Sequence, residues 1–128
     1  HIPERDGIWM GLVLFEYMVK SGKSLEELIE EVYGLVGAFK YWRDDLHIDE
    51  KVKNAIVKKC NKDQFKSFGN YTVQSIDKTD GFKFILSDDE WLMIRPSGTE
   101  PVLRCYAESK DLKGAKDILS ACKKEIGV

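Results

Sequence analysis

The sequence predicts an α+β protein: a four-stranded antiparallel sheet with helices packed on one face, preceded by an N-terminal helical segment. Three observations carry this. Before Asn61 the apolar residues recur at helical spacing. After it they alternate, as half-buried strands do. Toward the end the helical period returns. Strands with helices covering one face make a compact α+β layer.

The elements follow in order. Residues 7–20 read as a helix, and Ile8, Trp9, Met10, Leu12, Val13, Leu14, Phe15, Tyr17, Met18 and Val19 leave it almost no polar face. A helix apolar all round must be buried on several sides, and nothing later in the chain is large enough to enclose it, so a neighbour N-terminal to it is expected. Gly22 ends that helix, and Ser24-Leu25-Glu26-Glu27 has the form of a capping box opening the next. Leu25, Leu28, Ile29, Val32 and Leu35 then keep helical spacing until Gly37. Residues 39–43 are aromatic and short, the profile of a strand. Asp49 suits the cap of a further helix with Val52, Ala55, Ile56 and Cys60 inward.

Residues 71–76 form the first alternating strand. Asp80-Gly81 marks a hairpin, because both residues tolerate positive φ. Residues 82–86 return as its partner, 87–90 turn again, and 91–95 and 102–108 complete the sheet. The last helix covers residues 112–126, with Leu112, Ala115, Ile118, Leu119 and Cys122 along one side. The chain divides into residues 1–38, a helical tail and linker, and residues 39–128, the domain proper.

Composition narrows the function. With 128 residues, 43% hydrophobic and 33% charged, the chain can build a real core. A formal net charge of −2 supplies no global field toward nucleic acid or an anionic membrane, so neither is an expected partner. Any bound anion must be held by local donors. Cys60, Cys105 and Cys122 are odd in number and widely spaced, which suits reduced thiols and a cytoplasmic setting. The longest apolar stretch, residues 8–19, contains Glu16 and falls short of the ~20 residues a membrane span needs. The chain opens without Met and enters a helix directly, as a cut inside a longer polypeptide would.

The chemistry concentrates in Arg95-Pro96-Ser97-Gly98-Thr99-Glu100-Pro101 and the following Arg104. Two arginines flank a turn between neighbouring strands, and a guanidinium fork matches two phosphate oxygens at once. Ser97 and Thr99 add hydroxyl donors. Gly98 allows a sharp turn and a backbone N–H unobstructed by a side chain. Pro96 and Pro101 stiffen the loop, which lowers the entropy lost on binding. These parts fit a dianion. Glu100 would repel one, so it is expected to pair with Arg95 or with Arg104; the sequence leaves both open.

This loop, followed by Val102-Leu103-Arg104-Cys105-Tyr106-Ala107-Glu108, resembles the C-terminal domain of the α-D-phosphohexomutases, which include phosphoglucomutase, phosphomannomutase and phosphoglucosamine mutase. Asp80-Gly81-Phe82-Lys83 also resembles the family pattern, and residues 1–7 are similar to the segment just after the sugar-recognition loop in the family's third domain. The resemblance covers nearly the whole chain, more loosely over 35–68. It implies that Arg95, Ser97, Gly98 and Thr99 bind the phosphate that is not being transferred, that Arg104 supports the same group, and that Arg5 approaches the sugar. It further implies an isomerase that moves a phosphoryl group between C1 and C6 of a hexose phosphate by way of a phosphoserine. Magnesium is expected in the intact parent enzyme. The phosphoserine loop, the magnesium ligands and the sugar-recognition loop belong to the family's earlier domains, so no catalytic or metal residue is expected in this chain, which alone would bind without turnover. The missing N-terminal domains are then its partners.

Other features carry less. Gly22-Lys23-Ser24 is like the end of a phosphate-binding P-loop, but Tyr17 stands where that motif needs glycine. His1 and His47 lack metal-ligand spacing. Cys105 is expected as a buried strand residue, and Asp88-Asp89-Glu90 as a solvated turn. The rival functional class is a stand-alone anion-binding or regulatory module without catalysis.

Overall fold

A computed structural model describes residues 5–128; the first four residues of the segment expected to follow a sugar-recognition loop, including His1, lie outside the described residues. The chain divides into two compact units, one ending at Ala38 and the other covering Phe39–Val128.

The first unit holds α1 (Gly7–Ser21) and α2 (Leu25–Val36). Asp6 caps α1 by accepting the Trp9 N–H at 2.9 Å, and Gly22 ends it in the left-handed conformation, φ 67°. The capping box of α2 forms in both directions: Ser24 N–H donates to Glu27 Oε2 at 2.7 Å, and Glu27 N–H to Ser24 Oγ at 3.3 Å. No residue of α1 is buried within the chain, and only Leu28 is in α2.

In the second unit the order is β1 (Lys40–His47), α3 (Glu50–Asn61), β2 (Ser67–Phe68), β3 (Tyr71–Thr72), β4 (Ser75–Asp77), β5 (Phe82–Ser87), β6 (Glu90–Pro96), β7 (Val102–Ser109) and α4 (Leu112–Ile126). The main sheet has five strands in the order β1-β7-β6-β5-β4, every pair antiparallel, and β2 and β3 form a separate ribbon. The α+β class stands; the expected four strands become five. Residues 39–43 foretold only the start of β1, which continues through Arg43, Asp44 and Asp45. Those charged residues carry no alternation. Backbone pairing to β7 along eight residue pairs holds them in the sheet, and Lys123 Nζ on α4 bonds Asp44 Oδ2 at 2.8 Å.

The strand expected at 71–76 is two. Tyr71 and Thr72 pair with the ribbon, Val73 N–H donates back to Lys66 O at 2.9 Å, and Gln74 N–H crosses to Ile85 O at 2.8 Å. Alternation marks extended chain but does not say which partner it pairs with.

One face of the sheet is the core. Phe82, Phe84, Leu86, Leu92, Ile94, Leu103, Cys105 and Ala107 pack against Ile56 and Cys60 of α3 and Ala115, Ile118, Leu119, Cys122 and Ile126 of α4. Phe68 and Phe84 meet edge to face with centroids 4.9 Å apart, the packing aromatic quadrupoles favour. Two sequence expectations fail at the helix margins: Val52, Ala55 and Leu112 are exposed, and the inward stripe of α3 is Lys53, Ile56 and Cys60. The opposite face of the sheet carries Arg95, Arg104 and Tyr106.

Candidate phosphate-binding site

The loop 97–101 joins β6 to β7. Its ends are fastened by Ser97 N–H to Val102 O at 2.9 Å and Val102 N–H to Glu100 O at 2.7 Å, while Ile48 N–H donates to Pro101 O at 3.2 Å. Gly98, Thr99 and Glu100 are exposed and Ser97 is buried, so the corner is open at its tip.

Arg95 and Arg104 are direct partners in the β6–β7 register. Directly opposed residues project from the same face of a sheet, so the two guanidinium groups leave it side by side. Like charges so placed repel, and each has its own carboxylate. Arg95 Nη2 lies 3.2 Å from Asp80 Oδ1, and Arg104 Nη2 lies 3.5 Å from Glu100 Oε2. Glu100 therefore belongs to Arg104. These pairs are largely solvated, so each contributes little to stability but orients its arginine. The Arg104 Nε–H is buried and has no partner among the described residues, a donor still free for an acceptor.

Asp80 is set by the β4–β5 turn. Asp77 Oδ1 accepts from Thr79 N–H at 2.9 Å and from its hydroxyl at 2.7 Å, and these bonds, the hydroxyl's first, hold the Asp77 carboxyl below its ordinary pKa. Gly81 follows with φ +99°, and a Cβ there would stand 3.1 Å from Ile94 O and 3.4 Å from Arg95 Cβ. The hairpin read from Asp80-Gly81 thus presses against Arg95.

Gly98 departs from expectation. It is not among the glycines with positive φ, and a Cβ at that position meets nothing within 4 Å. The sharp turn does not require it. Ser97 donates its N–H and, through its carbonyl, accepts from Lys53 Nζ at 3.1 Å, which leaves only its hydroxyl to offer outward. Lys53 is outside the inner face expected from apolar residues alone, although it shares the Ile56 and Cys60 spacing, because lysine is seldom buried. Arg5 is exposed just before the α1 cap, in the unit that ends at Ala38, whereas the loop lies in the other unit.

Elsewhere, a cleft of about 560 Å³ lies at the far end of the strands, where Asp88, Asp89, Glu90, Asp111 and Asp117 outnumber Lys110 and Lys113. So acidic a wall does not suit an anion. Cys60, Cys105 and Cys122 are free and buried. Among the described residues no group of three or more His, Cys, Asp or Glu side chains is arranged to hold a metal ion. No described helix is long and apolar enough to cross a membrane.

Residues 44–124 match the model of the family described as phosphoglucomutase/phosphomannomutase, C-terminal domain. The chain belongs to the phosphoglucomutase/phosphomannomutase family. Its similarity extends to a phosphoglucomutase/phosphomannomutase of Thermococcus kodakarensis, 32% identical over 90% of this chain and 23% of the relative. A probable phosphoglucosamine mutase of Methanobrevibacter smithii is 31% identical over 94% of this chain and 26% of its own. A phosphomannomutase of Salmonella muenchen is 27% identical over 98% of this chain and 27% of its own. The chain thus spans about a quarter of the length of the mutases it matches. The matched span, residues 44–124, contains the loop, both arginines and the Asp80-Gly81 turn.

Proposed function

We propose that the corner between β6 and β7 binds the non-transferred phosphate of a hexose phosphate in a phosphohexomutase of which this chain supplies the C-terminal part. The observation that carries this reading is the direct register of Arg95 and Arg104 on one sheet face, beneath an open loop. A phosphate dianion between the two guanidinium groups relieves their repulsion. It also accepts from the Ser97 and Thr99 hydroxyls and the Gly98 N–H. Charge-assisted hydrogen bonds contribute about 1.5–3 kcal/mol each. Several of them anchor the end of the sugar that does not react, and so orient the other end for phosphoryl transfer between C1 and C6. Ionic contacts on flexible arginines tolerate either end of the sugar. By the resemblance of its segment, Arg5 approaches the sugar itself.

The reading includes a partner within the same polypeptide. Ile8, Phe15 and Val19 of α1 are 81%, 62% and 66% exposed, an apolar surface that calls for cover. The relatives' greater length supports the remainder of a longer mutase as that cover, and the same remainder would carry the phosphoserine and the magnesium ligands. Three buried free thiols support a reducing, cytoplasmic setting. The module without catalysis uses the same loop, but family membership supports the mutase.

Two measurements test the proposal. Titrating this chain with inorganic phosphate or glucose 6-phosphate is expected to shift the amide signals of Ser97, Gly98 and Thr99; unmoved signals at millimolar ligand count against the site. In the full-length mutase, Arg95→Ala is expected to lower kcat/KM by roughly tenfold to a hundredfold, the loss of one charge-assisted bond, with the fold intact. Near-normal turnover would refute the role of Arg95.

A further inference from the structure

Lys53 is only 6% exposed, an uncommon position for an ammonium group. Its three N–H donors meet three oxygens: Ser97 O at 3.1 Å, Glu100 O at 3.0 Å and Glu50 Oε2 at 2.9 Å. The first two lie 44 and 47 residues away in sequence, so the side chain ties α3 to the loop. Such a clamp has a geometric consequence. A trans peptide is planar, with its C=O and N–H pointing in opposite directions, and no cis peptide occurs among the described residues. With the Ser97 carbonyl turned in to Lys53, the Gly98 N–H is turned away from it. The Glu100 carbonyl belongs to the peptide before Pro101, which has no N–H, so drawing that carbonyl inward hides no donor. Among the described residues the N–H groups of Gly98, Thr99 and Glu100 donate to no protein acceptor.

We propose that Lys53 is a positioning residue: it holds the 97–101 loop in the form that presents the Gly98 N–H outward. The inference rests on reading this loop as a phosphate site. Three acceptors converging on one nitrogen suit a tetrahedral ammonium and not a planar guanidinium, so Arg is not an equivalent replacement.

The test is Lys53→Met in the 128-residue chain, which keeps the apolar stem and removes every donor. Without ligand, the Gly98 and Thr99 amide signals are expected to move and the hydrogen exchange of the bonded Ser97 and Val102 amides to quicken roughly tenfold, while core amides of β5 and β6 stay unchanged. Affinity for inorganic phosphate is expected to fall roughly tenfold. Loop signals identical to those of the unaltered chain overturn the proposal whatever phosphate does. A loosened loop that still binds phosphate equally well also overturns it and leaves the phosphate reading intact. A loosened loop in a chain that never responds to phosphate overturns both, leaving Lys53 a structural clamp. If Lys53→Met does not fold, the ammonium signal of Lys53 in the unaltered chain decides. Slow exchange and a shift on adding phosphate support the role; exchange at the solvent rate, or indifference to phosphate, ends it.

Discussion

Gly98 separates what the fold requires from what a ligand would require. Its backbone is ordinary and the space beside it is empty, so Gly98→Ala is expected to change stability by less than about 1 kcal/mol, as an open and unstrained position should. If phosphate approaches that N–H closely, the same methyl should weaken phosphate binding severalfold. Thermal unfolding and a phosphate titration of the one variant measure both, and unchanged affinity would mean that the ligand keeps clear of Gly98. Gly81 is the opposite case, held by a positive φ and by the backbone it presses against. Both glycines were legible in the sequence, but only one for the reason the sequence suggested. Lys53 and the choice of Glu100 for Arg104 were not legible, since both depend on which side chains converge across β6, β7 and α3.

At the scale of elements, the three cysteines join α3, β7 and α4 in the core. Burial, more than the neighbouring Cys105, pushes the Cys60 thiol up from its ordinary 9.0 to about 12. Cys122 is also raised, first by its hydrogen bond with Cys105 and then by burial. The folded state therefore keeps the Cys60 proton after the unfolded chain has begun to release it. Stability from this thiol is complete below about pH 9 and drains away between there and about pH 12. Other groups titrate in that range, so the informative quantity is a difference. Denaturant unfolding of Cys60→Ala, itself about 1 kcal/mol less stable at neutral pH, is expected to decline less steeply with rising pH than the unaltered chain. Parallel declines would exclude Cys60 as a source. Alternation located β5, β6 and β7 correctly because each buries one face. It missed most of β1, which stands at the sheet edge with charged residues, and it fused β3 with β4.

At the scale of the molecule, no described residue before Leu46 belongs to the core cluster. Residues 39–128 alone are thus expected to unfold cooperatively, within about 1 kcal/mol of the full chain, and to be more soluble without the apolar surface of α1. A truncated chain that lost its unfolding transition would show that the first 38 residues brace the sheet.

The linear order of residues determined the α+β class, most helix limits and the loop as a cluster of anion-seeking groups, because local periodicity, caps and turn chemistry act over a few positions. Tertiary structure alone decided the full length of β1 and its pairing with β7, the opposed arginines, their separate carboxylates and the lysine under the loop. Those features arise where segments distant in the chain are brought within hydrogen-bonding reach, and no short-range pattern encodes which partner a charged side chain will meet.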